Sequence, residues 1–173
     1  MHKGKYVFSQ LLDFLDRNDF NYLARKYGGD KYVKQFTCYN QLCVLMFGQL
    51  SNRESLRDVV LATQTHASRA YHLGFGKHAA KSTLADATNT KHDYRIFEEF
   101  AYKVIAEAQR CRIIDIFKLG RNVYTFDSTT VDLCLSTFGW ALFRKKKGGI
   151  KMHTLYDLET QIPTFFYIMT SNR

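Results

Sequence analysis

Three observations on this 173-residue chain predict an α+β fold, an all-helical N-terminal region followed by antiparallel strands. Apolar residues recur at three- and four-residue spacing up to about residue 120. Beyond that point the runs become rich in Val, Tyr, Phe and Thr, which is strand composition. Short turns join those runs, which favours an antiparallel meander over crossover helices. The organisation expected is a helical domain at 1–76, a helical connector at 77–120 and a strand region at 121–173.

Taken in order, Phe8, Leu11, Leu12 and Leu15 predict a first helix. Asn18 or Asp19 is placed to cap a second through Tyr22 and Leu23, which Gly28-Gly29 ends. Thr37 caps a third carrying Leu42, Leu45, Met46 and Leu50. Ser51-Asn52-Arg53-Glu54 has the form of a capping box, so a fourth helix is expected from Ser51, burying Leu56, Val59 and Val60. Arg53 and Arg57, four apart, would project from one face of that helix. Two readings stand for this pair: a face docked on DNA, or a solvated face. Gly74 and Gly76 break the pattern, Ser82 is placed to cap a short helix through Leu84, and a long helix follows from about Asp93 to Phe117. Its apolar face holds Ile96, Phe97, Phe100, Val104, Ile105 and Ala108. Strands are expected at 121–133, at Ile150 to Leu158 after a basic Gly-Gly loop, and at Ile162 to Thr170 after a turn at Glu159 to Gln161.

Composition narrows the function classes. Hydrophobic residues make up 46% of the chain, enough for a packed core, yet the longest apolar runs, such as Leu42 to Phe47, fall far short of the roughly 20 residues that span a bilayer. No membrane partner is expected. The first residues are basic, but Asp13 and Asp16 follow where a secretory signal would avoid them, so the expected location is the cytoplasm. Cys38, Cys43, Cys111 and Cys134 lie far apart without a Cys-x-x-Cys pair or regularly spaced histidines, which points to buried free thiols rather than a zinc site or a disulfide framework. The net charge of +9, heaviest at the N-terminus, favours a polyanionic partner.

Phe126-Asp127-Ser128-Thr129-Thr130 is the segment that carries chemistry, because an acid interrupts an otherwise apolar strand, where burial would cost several kcal/mol unless compensated. A metal ion is one compensation; hydrogen bonds to Ser128 or Thr129 are another. Several ordered pieces then resemble bacterial insertion-sequence transposases of the DDE class, the IS-four group. They are the stretch Leu50 to Val60, Lys81-Ser82-Thr83-Leu84-Ala85 with Phe97-Glu98-Glu99, the Asp127 strand, Gly148-Gly149-Ile150-Lys151-Met152-His153 with Tyr156-Asp157-Leu158, and Ile162-Pro163. The resemblance runs over nearly the whole chain.

What it implies is a helical region that binds double-stranded DNA at the element's terminal repeats, followed by the first three antiparallel strands of an incomplete ribonuclease-H-like domain. Asp127 would be the first acid of the Asp-Asp-Glu triad, a ligand of Mg²⁺ or Mn²⁺ and hence catalytic. No residue here carries over for the second Asp or the Glu, so the resemblance implies a truncated chain that is inactive alone, located with the bacterial nucleoid. It would act as a homodimer, beside a full-length transposase, or as a non-catalytic DNA-binding inhibitor. Asp132 and Asp157 read as structural.

Arg144, Lys145, Lys146 and Lys147, followed by Lys151, form the densest charge in the chain. They are candidates for phosphate contact, or else a solvated hairpin loop. His153 would lie beside the Asp127 strand and either approach a phosphate or sit half-buried. Trp140 and the other aromatics could stack on unpaired bases, with core packing as the plainer alternative. Ser128 lacks the Gly-x-Ser-x-Gly turn and the His and Asp that a serine hydrolase needs.

Overall fold

Helices occupy residues 7–110 and strands residues 124–170 in a computed structural model of the protein, which describes residues 6–76, 80–88, 92–111, 123–133, 142–144 and 147–170. The architecture is α+β, helices first and an antiparallel sheet after them. Two compact units divide the chain, 1–101 and 102–173. Among the described residues no helix is long and apolar enough to cross a membrane.

In the first unit α1 covers Val7–Leu12 and buries Phe8 and Leu12. It stops there rather than running on to Leu15, because Asp13, Phe14 and Leu15 each bond back three residues in successive turns. Those turns deliver Asp16 as the cap of α2 (Arg17–Lys26). Its Oδ1 accepts from the N–H groups of Asn18 and Asp19 at 2.7 and 3.1 Å, so the two residues expected to cap this helix are instead capped by it. α2 buries Phe20, Leu23 and Ala24 and leaves Tyr22 exposed. Gly28, at φ +64°, then lets Gly29 N–H reach Ala24 C=O at 2.9 Å while its own N–H reaches Arg25 C=O, a Schellman ending that the left-handed residue makes possible.

α3 (Cys38–Leu50) starts at Thr37 as the sequence predicts, in a capping box completed by Asn40. Its end overturns the expected start of the next helix. Ser51 is the last cap of α3, Asn52 takes φ +53°, and Arg53 N–H returns to Gly48 C=O at 2.9 Å. Asn tolerates the left-handed region, so this helix closes as α2 does. α4 (Leu56–Thr65) is capped by Ser55, whose Oγ accepts from Asp58 N–H at 3.2 Å. We expect Ser55→Ala to lower the stability of the first unit by about 1 kcal/mol, read from urea unfolding, and Glu54→Ala to leave it unchanged. The opposite ranking would restore Ser51-Glu54 as the cap.

α5 (Lys81–Asp86) starts after Ala80 without a side-chain cap, so Ser82 is a helical residue and not the cap. Asp93 precedes α6 (Tyr94–Arg110), its Oδ1 accepting from Arg95 N–H at 2.9 Å. Residues 112–117, the expected continuation of the long helix, lie outside the described residues. Phe20, Leu23, Cys38, Cys43, Leu84 and Ile96 are the most deeply buried side chains. The Phe20 ring lies 5.0 Å from Phe100, 5.6 Å from Tyr39 and 5.8 Å from Phe97.

The second unit is built on β3 (Lys147–Asp157), which pairs antiparallel with β1 (Tyr124–Leu133) and with β4 (Ile162–Thr170). A short strand that the sequence pattern does not predict, β2 (Leu142–Arg144), pairs with the start of β3. The Gly148-Gly149 pair is strand rather than loop: Gly148 sits opposite both Leu133 and Leu142. Tyr102 stacks on Phe166 with centroids 4.6 Å apart. Buried Asp157 holds the β3–β4 turn, its Oδ1 accepting from Glu159 and Thr160 N–H at 2.9 and 3.3 Å.

Candidate functional site

Asp127 lies fourth in β1, opposite Thr154, which lies opposite Phe166 in turn. Side chains alternate across a strand, so these three share one face of the sheet with Thr125 and Thr129. The premise that Asp127 is buried fails: it is exposed, like every described side chain from Val123 to Val131. Its Oδ2 accepts from Thr129 Oγ1 at 2.7 Å. No desolvation cost demands a cation here. Among the described residues of β1, β3 and β4, Asp127 is the one carboxylate on this face. It can supply one ligand to a divalent ion and not a set, and a lone carboxylate holds Mg²⁺ weakly.

The basic candidates do not gather around it. Lys151 pairs with Thr130 and His153 with Ser128, which puts both on the opposite face from Asp127. His153 stacks on Phe126 at 5.4 Å, and its Nε2 lies 3.2 Å from Met169 Sδ. That is an aromatic and thioether environment rather than a phosphate approach. Arg144 and Lys147 are cross-strand partners where β2 meets β3; Lys145 and Lys146, like Trp140 and Cys134, lie outside the described residues. Arg53 and Arg57 are both exposed, but Arg53 sits in the turn between α3 and α4. The expected pair on one helix face does not exist, because the cap is Ser55.

A different cluster forms in the helical unit, one that spacing does not reveal. Asp30 from the loop after α2, Cys38 at the first position of α3 and His92 just before α6 bring one ligand atom each within 4.8 Å of one another. Asp30 Oδ1 accepts from Cys38 N–H at 2.7 Å. Burial and the neighbouring Asp30 carboxylate push the Cys38 thiol well above its usual range. Cys43 is also buried and free, with burial raising its thiol to about 11. Cys111, expected to be buried, is exposed.

Around His92 the hydrogen bonds determine a tautomer. Thr88 Oγ1 donates to Leu84 C=O at 2.8 Å and therefore accepts from Gln41 Nε2 at 3.1 Å. That orientation turns Gln41 Oε1 toward His92 Nδ1, with which it is in contact. The imidazole thus donates from Nδ1, and in its neutral form its lone pair is on Nε2. A cavity of about 440 Å³ borders this group, lined in part by Lys31, Tyr32, Phe36 and His92.

No curated protein and no solved structure matches the chain. Residues 3–76, which run from before α1 to the end of the turns following α4, are similar to a family described as a domain of unknown function (DUF4372).

Proposed function

We propose that this chain acts in DNA transposition, its helical region binding double-stranded DNA at an element's terminal repeats and its strands opening a ribonuclease-H-like DDE domain. Asp127 is the first acid of that domain. The observation that carries the reading is its placement: an exposed carboxylate in the middle of the first strand of an antiparallel β1–β3–β4 meander, held by one hydroxyl and open to solvent. The net charge of +9 suits the polyanionic partner. Metal-dependent cleavage needs further carboxylates from outside the described strands, since two-metal chemistry clamps both the attacking and the leaving oxygen. Mg²⁺ or Mn²⁺ would polarise the scissile phosphate in the complete site.

That same carboxylate, the one on its sheet face among the described strand residues, favours a second reading, a non-catalytic DNA-binding protein that occupies the repeats as an inhibitor or as partner of a full enzyme.

Duplex binding at two salt concentrations, on terminal-repeat and scrambled DNA, tests the shared part of both readings. The expected result is a preference for the repeats with a steep salt dependence. Replacing Arg144, Lys145, Lys146 and Lys147 together by Ala should make the slope of log K against log salt shallower by about 0.9 for each phosphate that is no longer neutralised. An unchanged slope removes these residues from the interface, and equal binding to both duplexes removes end recognition. Cleavage in Mg²⁺ by the same samples separates the enzyme from the inhibitor.

A further inference from the structure

The cluster of Asp30, Cys38 and His92 lies wholly within the helical unit and owes nothing to the Asp127 strand. Its three donors come from three separate segments, 30, 38 and 92, and converge where two of them are buried, Cys38 at 0% and His92 at 8% exposure. Sulfur, nitrogen and oxygen together are a donor set for a borderline cation. In a tetrahedral zinc site, with metal–ligand distances of about 2.0–2.3 Å, the donors stand roughly 3.5 Å apart. The separations here are all within 4.8 Å, so binding requires each pair of donors to approach by about 1.3 Å at most.

The supporting interactions are those a ligand set requires. Asp30 is oriented by the Cys38 N–H, and the Thr88–Gln41 chain holds the His92 ring with its proton on Nδ1, so that the neutral imidazole presents Nε2 to a cation. Metal-bound histidines are held by such a bond from the other ring nitrogen to a carbonyl or carboxylate. Charge balances too, since a dication with one carboxylate and one thiolate is neutral, which suits a buried place where uncompensated charge is costly. His92 also lines a neighbouring cavity, from which a water or an anionic ligand atom would complete the four-coordinate set.

From this juxtaposition we infer that Asp30, Cys38 and His92 form a Zn²⁺ site tying the loop after α2 to the starts of α3 and α6. On binding, the Cys38 S–H proton passes to solvent as the sulfur–metal bond forms, and no oxidant or reductant is involved.

Co²⁺ added to the full, metal-stripped chain provides the test, with Zn²⁺ as competitor. We expect about one Co²⁺ per chain, a thiolate-to-cobalt charge-transfer absorption, and its displacement by Zn²⁺. Cys38→Ala should abolish the absorption. Asp30→Asn, which retains an oxygen for the Cys38 N–H, should weaken binding at least tenfold while the helical circular dichroism is unchanged. Absence of the absorption in the folded wild-type chain overturns the site. So does an absorption that survives Cys38→Ala, which would place the thiolate elsewhere, or full affinity in Asp30→Asn.

Discussion

Phe20→Ala should cost the helical unit about 4 kcal/mol, the middle of the range for an aromatic truncated in a core. Phe20 has no exposed surface, and three aromatic rings from α3 and α6 lie within 5.8 Å of its own. Each ring pair of this kind adds about 0.5–1.5 kcal/mol beyond the area buried, and the hole left by the ring is walled by helices that cannot collapse into it freely. Phe14, six residues earlier and 82% exposed, supplies the control: Phe14→Ala should change stability by no more than about 0.5 kcal/mol. Urea unfolding followed by helical circular dichroism reads both. A cost below about 2 kcal/mol for Phe20→Ala would mean that this four-ring arrangement is not the core of the unit.

Phe14 and Phe20 also mark where the sequence is readable and where it is not. Apolar periodicity finds the helices but does not set their first residue, which depends on the cap. Asn18 or Asp19 as cap would start the helix two or three residues late; the helix capped by Asp16 buries Phe20, Leu23 and Ala24 and leaves Tyr22 exposed. Ser51 and Ser55 pose the same problem, since each is followed three residues later by an acid. Asn52 decides it by accepting a left-handed backbone that closes α3 and pushes the next start four residues on. A signal with no competitor nearby is enough: Thr37 caps α3, Gly28-Gly29 ends α2, and the third expected strand, Ile162 to Thr170, has the bounds of β4. The pairing of β3 with β4 is legible from the short turn between them, whereas β2, three residues long, carries too little pattern to see.

The sites divide along the same line. Asp127 stands out because an acid in a strand breaks a local pattern, but the pattern cannot tell a buried acid from an exposed one. The cluster of Asp30, Cys38 and His92 breaks no local pattern at all. Its members are separated by 8 and 54 residues, and only the packing of α3 beside the loop after α2 and the start of α6 brings them within reach. Spacing rules for zinc sites detect ligands that share a turn or a hairpin, so a site assembled from three distant segments escapes them.

Asp127→Asn should separate fold from function more sharply than any other substitution in the strands. The carboxylate is exposed and its one described hydrogen bond is from Thr129 Oγ1, which the amide oxygen of Asn can also accept. Stability should therefore stay within about 0.5 kcal/mol of wild type. Affinity for duplex DNA should hold or rise, since one negative charge is removed from a surface proposed to face phosphates. Cleavage is the quantity expected to collapse. If Asp127 is a metal ligand of the proposed DDE site, its loss should cost cleavage more than the roughly 10–100-fold that removing an outer-shell partner costs. Three measurements on one variant, urea unfolding, salt-dependent duplex binding and strand cleavage, then have distinct patterns. Unchanged cleavage removes Asp127 from the chemistry whatever the DNA affinity does. A stability loss above about 1 kcal/mol would instead make the Thr129 hydrogen bond a structural device that an amide cannot replace, and the carboxylate a feature of the strand rather than of a catalytic site.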